Sequence, residues 1–390
     1  MRSLSRLALP LLLSLPACTA ILGSFEVDPT LNGGPDASSS GGSSSGGDGG
    51  SSSSSSGGDG GSSSGDAAAE DPKNCGSPGH DCERGACVKG VCQPYTLASF
   101  GGGTADLSVQ QGGGDVFVIE RPATLWRVAR SLGPDGGTTR ALAGQFGGAY
   151  EFRGVSTHPS GPDTYLLTFA SGSTQLRKVE AGGLTPFGPA TTITGTDVAI
   201  TPTKTFFIAL ESAPNGGAFE AKSAAYTRID GDRAQTIAAE DNFVFWSEQD
   251  GSIHARDPAN ATTALVASAQ GKVRAMSARP APALGQFDLV WGTDSGTGAV
   301  RTCTFRAPIG PCSSPVDLAS NQKTPADVLV FDKRVFWIEQ ASGTVASCDF
   351  GDCGKTTIVH AKGEDVPSRI AADGRAIFFI TKSELRKVVR

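Results

Sequence analysis

Val244-Phe245-Trp246-Ser247, Leu289-Val290-Trp291-Gly292 and Val335-Phe336-Trp337-Ile338 are three copies of one short apolar strand. Four more read Val116-Phe117-Val118-Ile119, Tyr165-Leu166-Leu167-Thr168, Phe206-Phe207-Ile208-Ala209 and Ile377-Phe378-Phe379-Ile380. Their third residues, 118, 167, 208, 246, 291, 337 and 379, are separated by 49, 41, 38, 45, 46 and 42 positions. A period of this size kept along a chain signals a propeller, because each repeat is one blade that cannot bury its faces alone. Six copies are preceded by a turn carrying Asp, namely Asp115, Asp163, Asp241, Asp288, Asp332 and Asp373, and an Asp there can bond its own backbone and close a tight turn.

Candidate first strands lie upstream, at Asp197-Val198-Ala199-Ile200, Asp327-Val328-Leu329-Val330 and Arg369-Ile370-Ala371-Ala372. Third strands lie downstream, at Leu125-Trp126-Arg127-Val128, Leu176-Arg177-Lys178-Val179 and Gly251-Ser252-Ile253-His254. Four short strands per repeat without helical periodicity give an all-β fold, a propeller of seven four-stranded blades with six as the alternative count. A tandem of β-sandwiches fits less well, since it has no need of one period kept seven times. The last repeat stops at Arg390 after three strands. The missing one is expected at the other end: Tyr95-Thr96-Leu97-Ala98-Ser99 is similar to Val316-Asp317-Leu318-Ala319-Ser320, which ends the fifth repeat. Pairing Thr96 to Ala98 with Glu384 to Val388 would seal an otherwise open edge.

Phe245-Trp246-Ser247-Glu248 and Phe336-Trp337-Ile338-Glu339, with Val290-Trp291-Gly292-Thr293 as a more distant copy, resemble the repeat of propellers of the Tyr-Trp-Thr-Asp and NHL type. Leu15-Pro16-Ala17-Cys18 resembles the lipobox of bacterial lipoproteins, following Arg2, Arg6 and an apolar run from Leu7 to Leu15 that is too short to span a bilayer. The resemblance implies a signal peptide over 1–17 and a diacylglycerol on Cys18. Thr19, rather than an Asp, follows Cys18, which points to the outer membrane, on its surface or periplasmic face. The order of lipobox, Ser/Gly tether, Cys module and propeller resembles a class of bacterial surface lipoproteins that carries no activity over to this chain.

The segment 18–74 contains an almost pure Ser, Gly and Asp stretch from Gly33 to Asp66. With nothing apolar to offset the entropy of ordering, it is expected to be a disordered tether with an r.m.s. span of roughly 30 Å. Segment 75–94 follows, a small module with Cys75, Cys82, Cys87 and Cys92 in the pattern Cys-x6-Cys-x4-Cys-x4-Cys, and the propeller occupies 95–390. Two disulfides are expected in the module, with three connectivities open. Zinc held by these Cys and His80 is the weaker alternative, because no Cys-x2-Cys knuckle is present. Cys303 with Cys312 and Cys348 with Cys353 are expected to clip outer hairpins, and setting Cys18 aside leaves eight Cys that can all pair.

Gly makes up 52 of 390 residues, and 33 basic against 39 acidic residues leave a net charge of −6, without the basic footprint of a nucleic-acid binder. His158, His254 and His360 fall at unlike positions of three repeats, and no Gly-x-Ser-x-Gly, His-Glu-x-x-His or phosphate-loop motif occurs. Asp230-Gly231-Asp232 and Gly351-Asp352 lack the alternating carboxylates of a calcium loop, so no metal and no cofactor is expected. Glu120, Glu248 and Glu339, joined by Asp250 and Asp294, recur just after second strands and form a candidate ligand-binding rim; the alternative is that they are solvated turn residues or bond a neighbouring blade. The expected function is therefore a non-catalytic binding or scaffolding module, monomeric, attached to a membrane by its lipid and taking a protein or glycan ligand. A propeller enzyme of the lyase or dehydrogenase type and an outer-membrane assembly factor are the rival classes.

Overall fold

A computed structural model describes residues 71–390 except 112–113, 133–136, 159–160, 212–215, 231, 242, 258–260, 284, 295, 307–309 and 313. The segment expected to be a signal peptide, Cys18 and the expected tether up to residue 70 lie outside the described residues. Seven four-stranded antiparallel sheets occupy 104–145, 151–186, 195–230, 234–267, 273–320, 325–361 and 369–389, called blades 1 to 7. The seventh takes its fourth strand from Tyr95–Ser99. First strands of successive blades pack side by side, and the first strand of blade 7 packs on that of blade 1, so the ring is closed.

The seven apolar copies are the second strands. In Thr205–Ala209 and Ala376–Ile380 every residue is buried, because each second strand has a sheet on both sides and a neighbouring blade on both faces. That is why they read as unbroken apolar runs and not as alternating ones. First strands instead line the channel. In blades 1 to 6 each steps one residue out of register near its start, between Thr104 and Asp106, Phe152 and Gly154, Gly195 and Asp197, Ala234 and Thr236, Val273 and Ala275, and Pro325 and Asp327. A bulge of this kind re-aims the next side chain.

The inner edge of each first strand has no fifth strand to bond, and in blades 2, 6 and 7 side chains of the preceding blade supply acceptors. Val155 N–H donates to Asp106 Oδ2 at 2.8 Å and Thr157 N–H to Ser108 Oγ at 3.0 Å, which ties blade 2 to blade 1. Val330 N–H donates to Ser277 Oγ at 3.0 Å, and Ile370 N–H to Asp327 Oδ2 at 2.8 Å.

The closing strand pairs as the sequence suggests, with Tyr95 opposite Lys387, Thr96 opposite Arg386, Ala98 opposite Leu385 and Ser99 opposite Glu384. Arg386 reinforces it, donating to Thr96 Oγ1 at 2.9 Å and Pro94 O at 3.3 Å. The Cys module is locked to the same seam. Its bridges are Cys75–Cys87 and Cys82–Cys92, and all four cysteines lie in one apolar cluster with Phe336, Ile377, Phe379 and Val388. Lys387, only 4% exposed, donates to both oxygens of Glu83 at 2.8 and 2.7 Å and to Arg130 O at 2.8 Å, while Tyr95 Oη also donates to Glu83.

Two expectations change. Asp288 is not a turn residue: the second strand of blade 5 starts at Gln286, and Asp288 sits buried inside it with Arg279 at 3.0 Å. Cys348 and Cys353 are bridged, but Cys303 and Cys312 remain thiols in contact. Cys312 N–H donates to Val266 O of blade 4 at 2.9 Å, so the turn is tied to the neighbouring blade instead.

A chain beginning at Gly101 lacks the closing strand and is expected to unfold cooperatively at a lower temperature than one beginning at Lys73. Glu83→Gln, which leaves a buried ammonium short of its counter-charge, is expected to cost about 1 to 2 kcal/mol by urea unfolding. Unchanged stability in both would mean the seam is closed without the module.

Candidate functional site

The expected acidic rim is distributed around the ring and locally engaged. Glu120 accepts from Gly102 N–H at 2.7 Å and Trp126 Nε1 at 2.5 Å, and Glu339 from Lys323 N–H at 2.8 Å and Ser342 Oγ at 2.5 Å. Glu248 accepts the backbone N–H of Asp232 and lies 3.4 Å from His254 Nε2. All three act alike, since each, at the end of a second strand, holds the amide of the segment that enters the first strand of its own blade. Asp250 accepts from Ser252 N–H at 2.8 Å and Ser252 Oγ at 2.6 Å, closing a turn, and Asp294 pairs with Arg274 at 2.6 Å.

The histidines do not converge. His254 stacks on Trp246 with centroids 5.6 Å apart and bonds Ser252 Oγ, and His158 Nε2 faces Pro202 O at 3.1 Å. His360 is buried beside Ser347 Oγ at 2.8 Å, and burial together with Arg334 pushes its pKa down to about 4, so it is neutral at physiological pH.

What the fold does assemble is a charged floor to the channel. Asp106, Asp197, Asp327 and Arg369 occupy the same position of four first strands, opposite Ile119, Ile208, Ile338 and Ile380. Arg369 Nε donates to Asp106 Oδ1 at 3.0 Å, across the seam between blades 7 and 1. Asp197 Oδ1 takes its neighbour Val198 N–H at 2.8 Å and Asp327 Oδ1 takes Val328 N–H at 3.0 Å. One guanidinium thus bonds Asp106 and feels the charge of Asp197 and Asp327, and its side chain is still 29% exposed. Burial pushes Asp106 up to about 7 and Asp327 up to about 6 and raises Asp197, in each case against the pull of Arg369. Burial also works against the charge of Arg369, but Asp106 and its two companions outweigh it and hold the guanidinium protonated.

The opposite end of the channel is an uncharged mouth of about 300 Å³, lined by Val109, Thr157, Ile200, Met276, Phe331 and Ala372 among others. On that same face, where first strands turn into second and third into fourth, two recesses flank blade 2. One, about 500 Å³, lies between blades 2 and 3 and includes Ile200, Lys204, Glu220 and Lys222; the other, about 780 Å³, lies between blades 1 and 2 and includes Arg127, Leu142 and Lys178. Ile200 borders both the mouth and the first recess, and Asp163 borders both recesses, so the three adjoin one another.

Neither the floor nor the recesses follow from motif reading. A signal was present: Asp106-Leu107, Asp197-Val198 and Asp327-Val328 each put an acid before an apolar residue at the same point of the repeat, and Arg369 breaks the series in the blade that closes the ring.

The floor predicts a pH dependence. Asp106 and Asp327 hold protons more tightly in the folded chain than unfolded, so their contribution to stability is complete below the unfolded value near 4 and is lost as pH rises through about 6 to 7. Asp106→Asn keeps an acceptor for Val155 and removes one titration. Relative to wild type, its stability by chemical denaturation is expected to rise from about pH 5 to about pH 8; a constant difference across that range would refute the assignment.

No protein-family model and no curated protein matches the chain. Among solved structures it is similar to the crystal structure of the computationally designed Ika8 protein, at 12% identity and a TM-score of 0.49, over 76% of this chain and 100% of that one. It is also similar to the crystal structure of a Nidogen/Laminin complex, at 11% identity and a TM-score of 0.42, over 62% of this chain and 90% of that one. The seven-bladed architecture rests on the strand pairing and not on these likenesses.

Proposed function

We propose that this protein is a lipid-anchored binding or scaffolding module of a bacterial cell envelope, attached through Cys18 and its Ser/Gly tether, and that it takes a protein or glycan ligand on the face bearing the channel mouth and the two recesses. The observation that carries the reading is the clustering of those three adjoining concavities on one side of a closed ring. Recessed, partly apolar surface with a few placed charges is the usual form of a ligand site. Leu142, 53% exposed on the wall of the larger recess, adds an apolar contact at its lip. The carboxylates of the other face are spent on entering segments of their own blades, and the histidines on neighbouring groups, so the residues with chemistry to offer act within the scaffold.

The test uses a photo-crosslinking residue placed singly at Leu142, Ser223 or Gln249 of the full-length protein in cells. The first two positions border the recesses, and Gln249 lies on the opposite face. Adducts with envelope components are expected from Leu142 and Ser223, with loss of membrane retention in Cys18→Ser. Adducts from Gln249 alone, or equally from all three, would overturn the choice of face.

A further inference from the structure

Of the cysteines that follow Cys18, Cys75, Cys82, Cys87, Cys92, Cys303, Cys348 and Cys353 are all at most 7% exposed. Cys312 alone is only partly buried, and its sulfur is in contact with that of Cys303. The course of the chain explains the difference. Cys303 belongs to the third strand of blade 5, Ala299–Arg306, opposite Leu289. The fourth strand, Val316–Ser320, pairs along it only as far as Thr302, so Cys303 lies just beyond that cover. Cys312, in the crossing between the two strands, fills the place and packs against the cluster of Phe245, Phe287, Phe305 and Cys303. Its own N–H is held by Val266 O in the fourth strand of blade 4, so its backbone is anchored while part of the residue meets solvent.

The two thiols are unequal. The hydrogen bond that Cys303 gives to Cys312 raises the Cys303 thiol, with burial acting in the same direction, and lowers that of Cys312. A cysteine reacts as its thiolate, so the sulfur that solvent can reach is also the readier nucleophile. We infer that Cys312 is a site of reversible thiol–disulfide exchange with small disulfides, with Cys303 as its resolving thiol. Cys312, its proton released to water, attacks one sulfur of the small disulfide; the S–S bond of that molecule breaks, Cys312 keeps one half as a mixed disulfide, and the other half leaves as a thiolate. Cys303 then loses its proton and attacks Cys312 Sγ, which expels the second half as a thiolate and leaves Cys303 bridged to Cys312. Two electrons pass from the pair to the small disulfide, and the two protons given up by the cysteines convert the released thiolates to thiols. Excess small thiol runs both steps backward. The bridge fastens the crossing, already tied to blade 4 by the Cys312 amide, to the third strand of blade 5 as well.

The full-length protein in detergent is equilibrated at neutral pH with mixtures of reduced and oxidised glutathione, quenched with acid, alkylated and mapped by mass spectrometry. Oxidised glutathione is expected to close Cys303–Cys312. Reduced glutathione is expected to reopen it at least about tenfold faster than Cys75–Cys87, Cys82–Cys92 or Cys348–Cys353, whose sulfurs it cannot reach in the folded chain. In Cys303→Ser, which has no resolving thiol, glutathione is expected to remain on Cys312 as a mixed disulfide. In Cys312→Ser, Cys303 is expected to take up glutathione at least about tenfold more slowly than Cys312 does in the other variant, because its thiol is buried and held protonated. The order of opening in the wild-type protein needs neither variant to fold. The proposal is overturned if Cys303–Cys312 does not form with oxidised glutathione, if it opens no sooner than the other three bridges, or if folded Cys303→Ser carries no glutathione on Cys312.

Discussion

The inner edge of a blade has amides and no strand to give them to. In a flat sheet such an edge is an invitation to pair with another chain; in a ring it points into a channel too narrow for a further strand. The cost of leaving a buried N–H unmade exceeds the gain from an ordinary hydrogen bond, so the ring needs acceptors at these places. Asp106 and Ser108 supply them to Val155 and Thr157, Ser277 to Val330, and Asp327 to Ile370. Each reaches from one blade to the next along the chain. The bulges near the starts of the first strands in blades 1 to 6 place the residue after the register step at a common level of the channel, which is how Asp106, Asp197 and Asp327 come to share it.

Two of these acids serve that purpose and Asp197 shares their level, and the charge of Arg369 offsets all three. Arg369 stands in blade 7, the one composite blade, and pairs with Asp106 of blade 1, so the counter-charge also closes the seam. The outer side of the same blade is held by Tyr95–Ser99, by Arg386 on Thr96 and Pro94, and by Lys387 on Glu83. Floor and seam thus act on one joint. The mouth and its two recesses lie on the face opposite the floor and the entering segments.

Most of the fold was legible because a second strand sandwiched between two blades must be apolar throughout, and that produces a repeat visible without alignment. The closing strand was legible from the likeness of Tyr95–Ser99 to Val316–Ser320, which the structure places in the same outer position of blades 7 and 5. The floor was less so. A lone Asp or Arg in a strand reads as a solvent-facing residue, and only the closed ring brings residues 106, 197, 327 and 369 together. Asp288 misled for a related reason: an acid near a strand start looks like a turn residue, whereas Arg279 lets it be buried. The Glu residues after second strands each capture an amide, of Gly102, Asp232 or Lys323, an arrangement that sequence spacing alone does not separate from a rim. Cys303 and Cys312 were read from proximity in sequence; the tie of Cys312 to Val266 is an inter-blade contact that proximity cannot reveal.

The central claim is that side chains of one blade satisfy the inner-edge amides of the next and so hold the ring together. Amide hydrogen exchange resolved at single residues tests it most directly. Val155, Thr157, Val330 and Ile370 are predicted to exchange as slowly as the amides of the second strands, and Asp327→Ala is predicted to speed Ile370 while leaving the second strand of blade 3 protected. Rapid exchange at all four in the wild-type protein would contradict the account, since it would mean that the inner edges are open to water and that the ring is held by apolar packing alone.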